Sequence, residues 1–117
     1  MELDPDLYEV STLLSDATRK KIDDTVQNNR IALFMKGDRT QPMCGFSAQV
    51  LHVLNSYNQD YVTVNVLEDW ELREGLKEYT NWPTIPQLYI DQTFVGGCDI
   101  TMELHRKGEL KKIIEGA

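Results

Sequence analysis

Cys44-Gly45-Phe46-Ser47 is the segment whose residue types and spacing could do chemistry. It follows an apolar run, residues 31–35, and opens a stretch with helical spacing of apolar residues. A thiol at the mouth of a helix feels the partial positive charge of unsatisfied N–H groups. That lowers its pKa and makes the thiolate available near neutral pH, and the thiolate is both the nucleophile and the metal-binding form. The third residue after Cys44 is Ser47, where a dithiol redox motif carries a second cysteine. The expected chemistry therefore moves from two-thiol disulfide exchange toward one-thiol chemistry.

The elements that must position this thiol follow from periodicity and punctuation. Residues 17–29 are polar with Ile22 and Val26 four apart, which predicts an exposed helix ended by Asn28-Asn29. Ile31–Met35 reads as a strand buried on both faces. A polar loop with Gly37 and Pro42 leads to Cys44, after which Phe46, Val50, Leu51, Val53, Leu54 and Tyr57 recur at helical spacing. Residues 61–65 are β-branched and predict a strand. Asp69 suits the N-cap of a helix to about Tyr79, with Trp70, Leu76 and Tyr79 as its inward positions. Pro83 and Pro86 exclude a helix over 81–86. Residues 87–90 and 93–95 read as a hairpin around Asp91-Gln92. Asp99 suits the N-cap of a helix over 100–107 ended by Gly108, and residues 109–115 give a last helical piece with Leu110, Ile113 and Ile114 inward. The order predicts a thioredoxin-like α/β fold. Its four-stranded mixed sheet has helices on both faces and its first two strands parallel.

Composition bounds the function classes. The 117 residues amount to one domain, read as an acidic arm over 1–16 and a folded domain over 17–117. Net charge is −7 and the pI near 4.7, which argues against a general nucleic-acid binder and against docking on anionic lipid. No apolar run approaches the length of a membrane span. Residues 1–16 lack the layout of a secretory signal and are too acidic for a mitochondrial transit peptide. Two cysteines, 54 positions apart, do not make a disulfide framework and suit a reducing compartment. The expected location is cytoplasmic, with a bacterial-type cytosol or a processed organelle-matrix form as the two settings.

The chain resembles a CGFS-type monothiol glutaredoxin from about residue 17 to residue 114. The resemblance is carried by Phe34-Met35-Lys36-Gly37, by residues 41–49 around Cys44, by Trp82-Pro83-Thr84-Ile85-Pro86-Gln87-Leu88, and by Phe94-Val95-Gly96-Gly97-Cys98-Asp99-Ile100. It implies glutathione binding and a two-iron, two-sulfur cluster bridging a homodimer. Cys44 then supplies one thiolate per subunit and a bound glutathione another, giving the usual four. The resemblance further implies a role in iron–sulfur cluster assembly and transfer and in iron homeostasis. BolA-family proteins and apo iron–sulfur acceptors are the partners it suggests.

By the same resemblance, Lys36 could lower the thiol pKa or pair with a glutathione carboxylate. Arg73 matches the position that binds the glycyl carboxylate, although alone it would read as one charge on a solvated helix face. Thr84-Ile85-Pro86 matches a cis-proline loop that offers backbone groups of Ile85 to the cysteinyl part. Gly97, Cys98 and Asp99 match the γ-glutamyl site, with Asp99 facing the ammonium, capping the helix, or both. The loop between Lys36 and Cys44 is the feature that, in the family, suppresses ordinary oxidoreductase activity. Ser47 could hydrogen-bond the sulfur or satisfy a first-turn N–H, and Phe46 could be exposed beside the sulfur or be a core aromatic. Cys98 could pair with Cys44, resolve a mixed disulfide, or be a buried structural thiol. His52 and His105 have no ligand spacing to either cysteine and read as structural or surface residues. The alternative function is a glutathione-dependent oxidoreductase that deglutathionylates substrates through Cys44.

Overall fold

Ile31–Met35 forms strand β1, and all five of its side chains are buried. The computed structural model describes residues 14–116, so the expected acidic arm lies outside the described residues except at its last three positions. Burial on both sides of β1 requires cover on both faces of the sheet, and helices supply it. Ile31, Leu33 and Met35 pack into one core cluster, whereas Ala32 and Phe34 pack into the other. This is the alternation of a strand, read inside an unbroken apolar run.

Helix α1 (Asp16–Asn28) is capped by Ser15, whose hydroxyl accepts from the Thr18 N–H. After β1 come α2 (Gly45–Asn55), β2 (Val62–Asn65), a 3-10 turn (Val66–Glu68) and α3 (Trp70–Thr80). β3 (Gln87–Ile90), β4 (Thr93–Gly96), α4 (Cys98–Arg106) and α5 (Glu109–Glu115) complete the chain. The sheet order is β2-β1-β3-β4. β1 and β2 are parallel, β3 runs antiparallel to β1, and β4 runs antiparallel to β3. This is the thioredoxin-like α/β layout that the element order predicts. Side chains of α2, α4 and α5 fill one cluster, while those of α1 and α3 fill the other.

The hairpin turn forms at Asp91-Gln92 with both residues at positive φ, 51° and 66°. Two left-handed central residues give the twist that a two-residue connection between strands needs. Gln92 adopts this without glycine, and the turn is tied back by the Asp91 N–H to the Arg30 carbonyl at 2.8 Å and by an Arg30–Asp91 ion pair.

Three expectations are corrected. Trp70 is 63% exposed rather than inward. Leu72 and Leu76, four apart, take the buried face, and at 100° per residue Trp70 sits about 200° away from Leu72. Ile113 is partly exposed because Leu110 and Ile114 define the inward stripe of α5 and Ile113 lies at its edge. Finally, α4 begins at Cys98, so Gly97 holds the N-cap and Asp99 falls in the first turn. Its carboxylate there faces favourable helix-dipole charge without capping a backbone N–H.

Candidate functional site

The sequence dictates a sharp join between β1 and α2, and the thiol sits on it. Lys36 follows the last residue of β1, and Gly37 has φ +93°, a conformation that favours glycine. A Cβ there would stand 2.5 Å from both the Gln41 carbonyl oxygen and the Met43 nitrogen, so the loop closes on itself over this residue. Asp38 accepts from the Thr40 and Gln41 N–H groups, and Met43 N–H donates to the Lys36 carbonyl at 2.8 Å. The Gly37 N–H donates to Asn65 Oδ1 at 2.9 Å, stitching the loop to the end of β2. Arg39 reaches across to the Tyr61 carbonyl and lies over that ring, 4.1 Å from its centroid.

Cys44 is the N-cap residue of α2. Its sulfur completes no capping hydrogen bond among the described residues. As a thiolate it is held by the Ser47 backbone N–H, which dominates, then by the Phe46 N–H, the Lys36 charge and the Ser47 hydroxyl. Together these outweigh burial and lower the pKa below the ordinary thiol value. Ser47 is fully buried and accepts from the Lys36 backbone N–H at 3.1 Å. Its hydroxyl thus joins the strand end to the first turn of α2. Phe46 is 59% exposed and so is no core aromatic.

Cys98 differs from Cys44 in every respect that governs reactivity. It is buried, and its thiol donates to Gln49 Oε1 at 3.4 Å. Burial, then the charges of Asp99 and Cys44, push its pKa up. This is the environment of a structural thiol. His52 is exposed, and His105 Nδ1 pairs with the Tyr57 hydroxyl at 2.5 Å.

A cleft of about 470 Å³ runs from the mouth of α2 to the start of α4. Lys36, Cys44, Arg73, Thr84, Ile85, Pro86, Gly97, Cys98 and Asp99 all line it, so the structure brings together the nine residues given a thiol or glutathione role; Phe46 lines it too, whereas Ser47, His52 and His105 do not. The Ile85–Pro86 peptide is cis. Gly97 leaves room where a Cβ would meet Trp82 Nε1 at 3.1 Å and the Pro86 carbonyl at 3.3 Å. Cations enter from the end of β1 and from α3, and a carboxylate enters from the first turn of α4. Such an arrangement suits a ligand carrying both carboxylate and ammonium groups.

Of the other lining residues, Trp82, Pro83 and Ile100 belong to the segments quoted above but were given no site role, and Lys77 escaped the sequence reasoning altogether. Lys77 had a signal, since it follows Arg73 by four positions and shares its helix face. Glu74 lies beside both, 3.1 Å from Lys77 Nζ and 3.9 Å from Arg73 Nε.

Comparison with known proteins agrees with this geometry. A sequence profile of the glutaredoxin family matches residues 31–95. The uncharacterized monothiol glutaredoxin ycf64 of Porphyra purpurea is 50% identical over 98 residues, 84% of this chain and 92% of that protein. The mitochondrial monothiol glutaredoxin-5 of Schizosaccharomyces pombe is 50% identical over 106 residues, 88% of this chain and 73% of that protein. The solution structure of reduced apo GrxS14 from poplar superposes with a TM-score of 0.78 at 48% identity, covering 88% of this chain and 94% of that one. The profile takes in β1, the thiol turn and the cis-proline loop, and the relatives extend the match over most of the chain: it belongs to the monothiol glutaredoxin family.

Proposed function

We propose that this chain binds glutathione in the cleft and carries a two-iron, two-sulfur cluster between two copies of itself for delivery to other proteins. The observation that carries the reading is the pairing of one activated thiol with a buried hydroxyl. Cys44 faces the cleft with its pKa lowered, and Ser47 stands where a resolving thiol would be. The only other thiol, Cys98, is buried and bonded to Gln49. One protomer therefore offers one available thiolate, and a four-thiolate set needs thiolates from glutathione and from a second protomer.

Glutathione fits the cleft on its chemistry. Lys36, Arg73 and Lys77 suit its carboxylates, Asp99 suits its ammonium, and the space that a Cβ on Gly97 would fill admits its backbone. The buried Arg73 Nε has no hydrogen-bond partner among the described residues, a donor left over for a ligand carboxylate. A cluster held in part by exchangeable glutathione is easier to hand on than one held by four protein cysteines. This reading includes a CGFS-type assignment and a reducing compartment, either a cytosol or an organelle matrix. It also includes BolA-family and apo iron–sulfur partners.

The test is anaerobic reconstitution with iron, sulfide and a cysteine desulfurase, with and without glutathione, following visible absorption and molecular mass together. Glutathione-dependent colour in a dimer, lost in Cys44→Ala, is the expected result. Colour that persists in Cys44→Ala overturns the reading.

The lowered Cys44 pKa also favours a second activity, deglutathionylation. The Cys44 thiolate attacks the glutathione sulfur of a protein–glutathione disulfide, forming a Cys44–glutathione disulfide and releasing the protein thiolate. A second glutathione thiolate then attacks that disulfide, regenerating Cys44 and leaving as oxidised glutathione. Fast turnover of a glutathionylated peptide would favour this activity over cluster carriage.

A further inference from the structure

Gln87 opens strand β3 and is fully buried, yet it carries a primary amide. Its Nε2 donates to two backbone carbonyls, those of Trp82 and Thr84, at 3.2 Å each. Both acceptors are carbonyls, so the amide nitrogen must be the end that faces them. Its Oε1 is buried and finds no partner among the described residues. A buried amide with one end unsatisfied is a poor way to stabilise a core, where an apolar side chain of the same size would cost less.

What the amide does accomplish is local. Residues 83–86 include two prolines, and among the described residues no backbone–backbone hydrogen bond outside regular elements involves any of the four. Trp82 is tied through its N–H to the end of α3, at the Lys77 carbonyl and the Thr80 hydroxyl. Beyond Trp82 the loop is fastened by the Gln87 side chain. The fastened segment carries Thr84 and Ile85 into the cleft, and its Pro86 carbonyl lies against Gly97.

We propose that Gln87 is the positioning residue of the glutathione site, acting through its two donor hydrogen bonds to hold the 82–86 loop in binding geometry without touching the ligand. The inference rests on the proposed glutathione site. Gln87→Met keeps length and approximate volume and deletes both donors. Gln87→Glu keeps the shape, donates one bond when protonated and repels both carbonyls when ionised.

Three readouts separate the outcomes. Glutathione affinity is measured by calorimetry, Cys44 reactivity by alkylation rate, and loop order by amide hydrogen exchange at Trp82, whose N–H is bonded to the end of α3 and whose carbonyl accepts from Gln87, in the ligand-free protein. The expected result for Gln87→Met is a roughly tenfold weaker glutathione affinity and faster exchange at Trp82, with Cys44 alkylation unchanged. Gln87→Glu should bind glutathione more weakly as the pH rises through the carboxylate titration. Affinity within twofold of the parent protein and unchanged exchange in a folded Gln87→Met protein would overturn the proposal. If Gln87→Met does not fold, a Gln87→Glu affinity that does not vary with pH would overturn it. If the parent protein itself binds no glutathione, the site reading fails, and the exchange measurement still decides whether Gln87 holds the loop.

Discussion

Ser47→Ala tests the join between β1 and α2 most directly. The substitution removes a fully buried hydroxyl that accepts the Lys36 N–H at 3.1 Å and also helps hold the Cys44 thiolate. Alanine leaves that N–H without its acceptor in a part-buried site, which costs about 1 kcal/mol or more. For a domain of this size each kcal/mol moves Tm by about 4 °C, so Tm should fall by about 4 °C or more. The effect on the thiol is smaller. The Ser47 backbone N–H is the leading cause of the lowered pKa and the Ser47 hydroxyl the last, and alanine keeps the backbone. The profile of Cys44 alkylation against pH should therefore move up slightly yet stay below that of an ordinary thiol. The assays are a thermal melt and alkylation rates across pH, both on ligand-free protein. An unchanged Tm would refute the tether, and a profile restored to that of a free cysteine would refute control by the helix amides.

Other perturbations have equally definite outcomes. Gly37→Ala forces a Cβ to 2.5 Å from two backbone atoms at φ +93°, and denaturant titration should show a loss of about 2 kcal/mol or more. Leu33→Ala empties a fully buried site at the centre of the sheet, and the same titration should show a loss of about 2–5 kcal/mol. Tyr89→Phe removes a buried hydroxyl that has no partner among the described residues; stability should hold or rise by up to about 1 kcal/mol, and a clear loss would mean the hydroxyl is satisfied. Burial, with the bond to Asp23, pushes Tyr79 from 10.0 up to about 12. The fold therefore favours its neutral form, a stabilisation complete below pH 10 and lost as pH rises to about 12. Tm should fall across that window, and less steeply in Tyr79→Phe.

The site was legible where chemistry and backbone punctuation coincide. A cysteine between an apolar strand and an amphipathic helix fixes the mouth of α2, and two prolines three apart fix a non-helical loop at 83–86. Element boundaries were less legible because several residues suit a helix start. Asp99 is a better N-cap than Gly97 by side-chain chemistry, but Gly97 follows the last residue of β4 and its extended backbone turns the chain into α4 two residues sooner. Trp70 was misjudged from hydrophobicity alone; the Leu72–Leu76 pair decides which way α3 faces. The roles of Gln87 and Ser47 were hidden for a different reason. Both are polar residues whose partners come from backbone brought close by the fold, at Trp82 and Thr84 for one and at Lys36 for the other. No local pattern announces such partners.

The contrast between the two thiols also turns the molecule into its own stopwatch. An alkylating reagent meets Cys44 at once, whereas Cys98 reacts only after the Gln49 contact and its packing against α2 have opened. Pulses of increasing length, read by mass spectrometry, should give a first modification on the timescale of thiolate chemistry. The second should arrive on the timescale of local opening. The interval between them reports how often α2 and α4 part at the floor of the cleft, without any engineered probe. A ligand that bridges these two helices should lengthen that interval in inverse proportion to the fraction of protein left unbound.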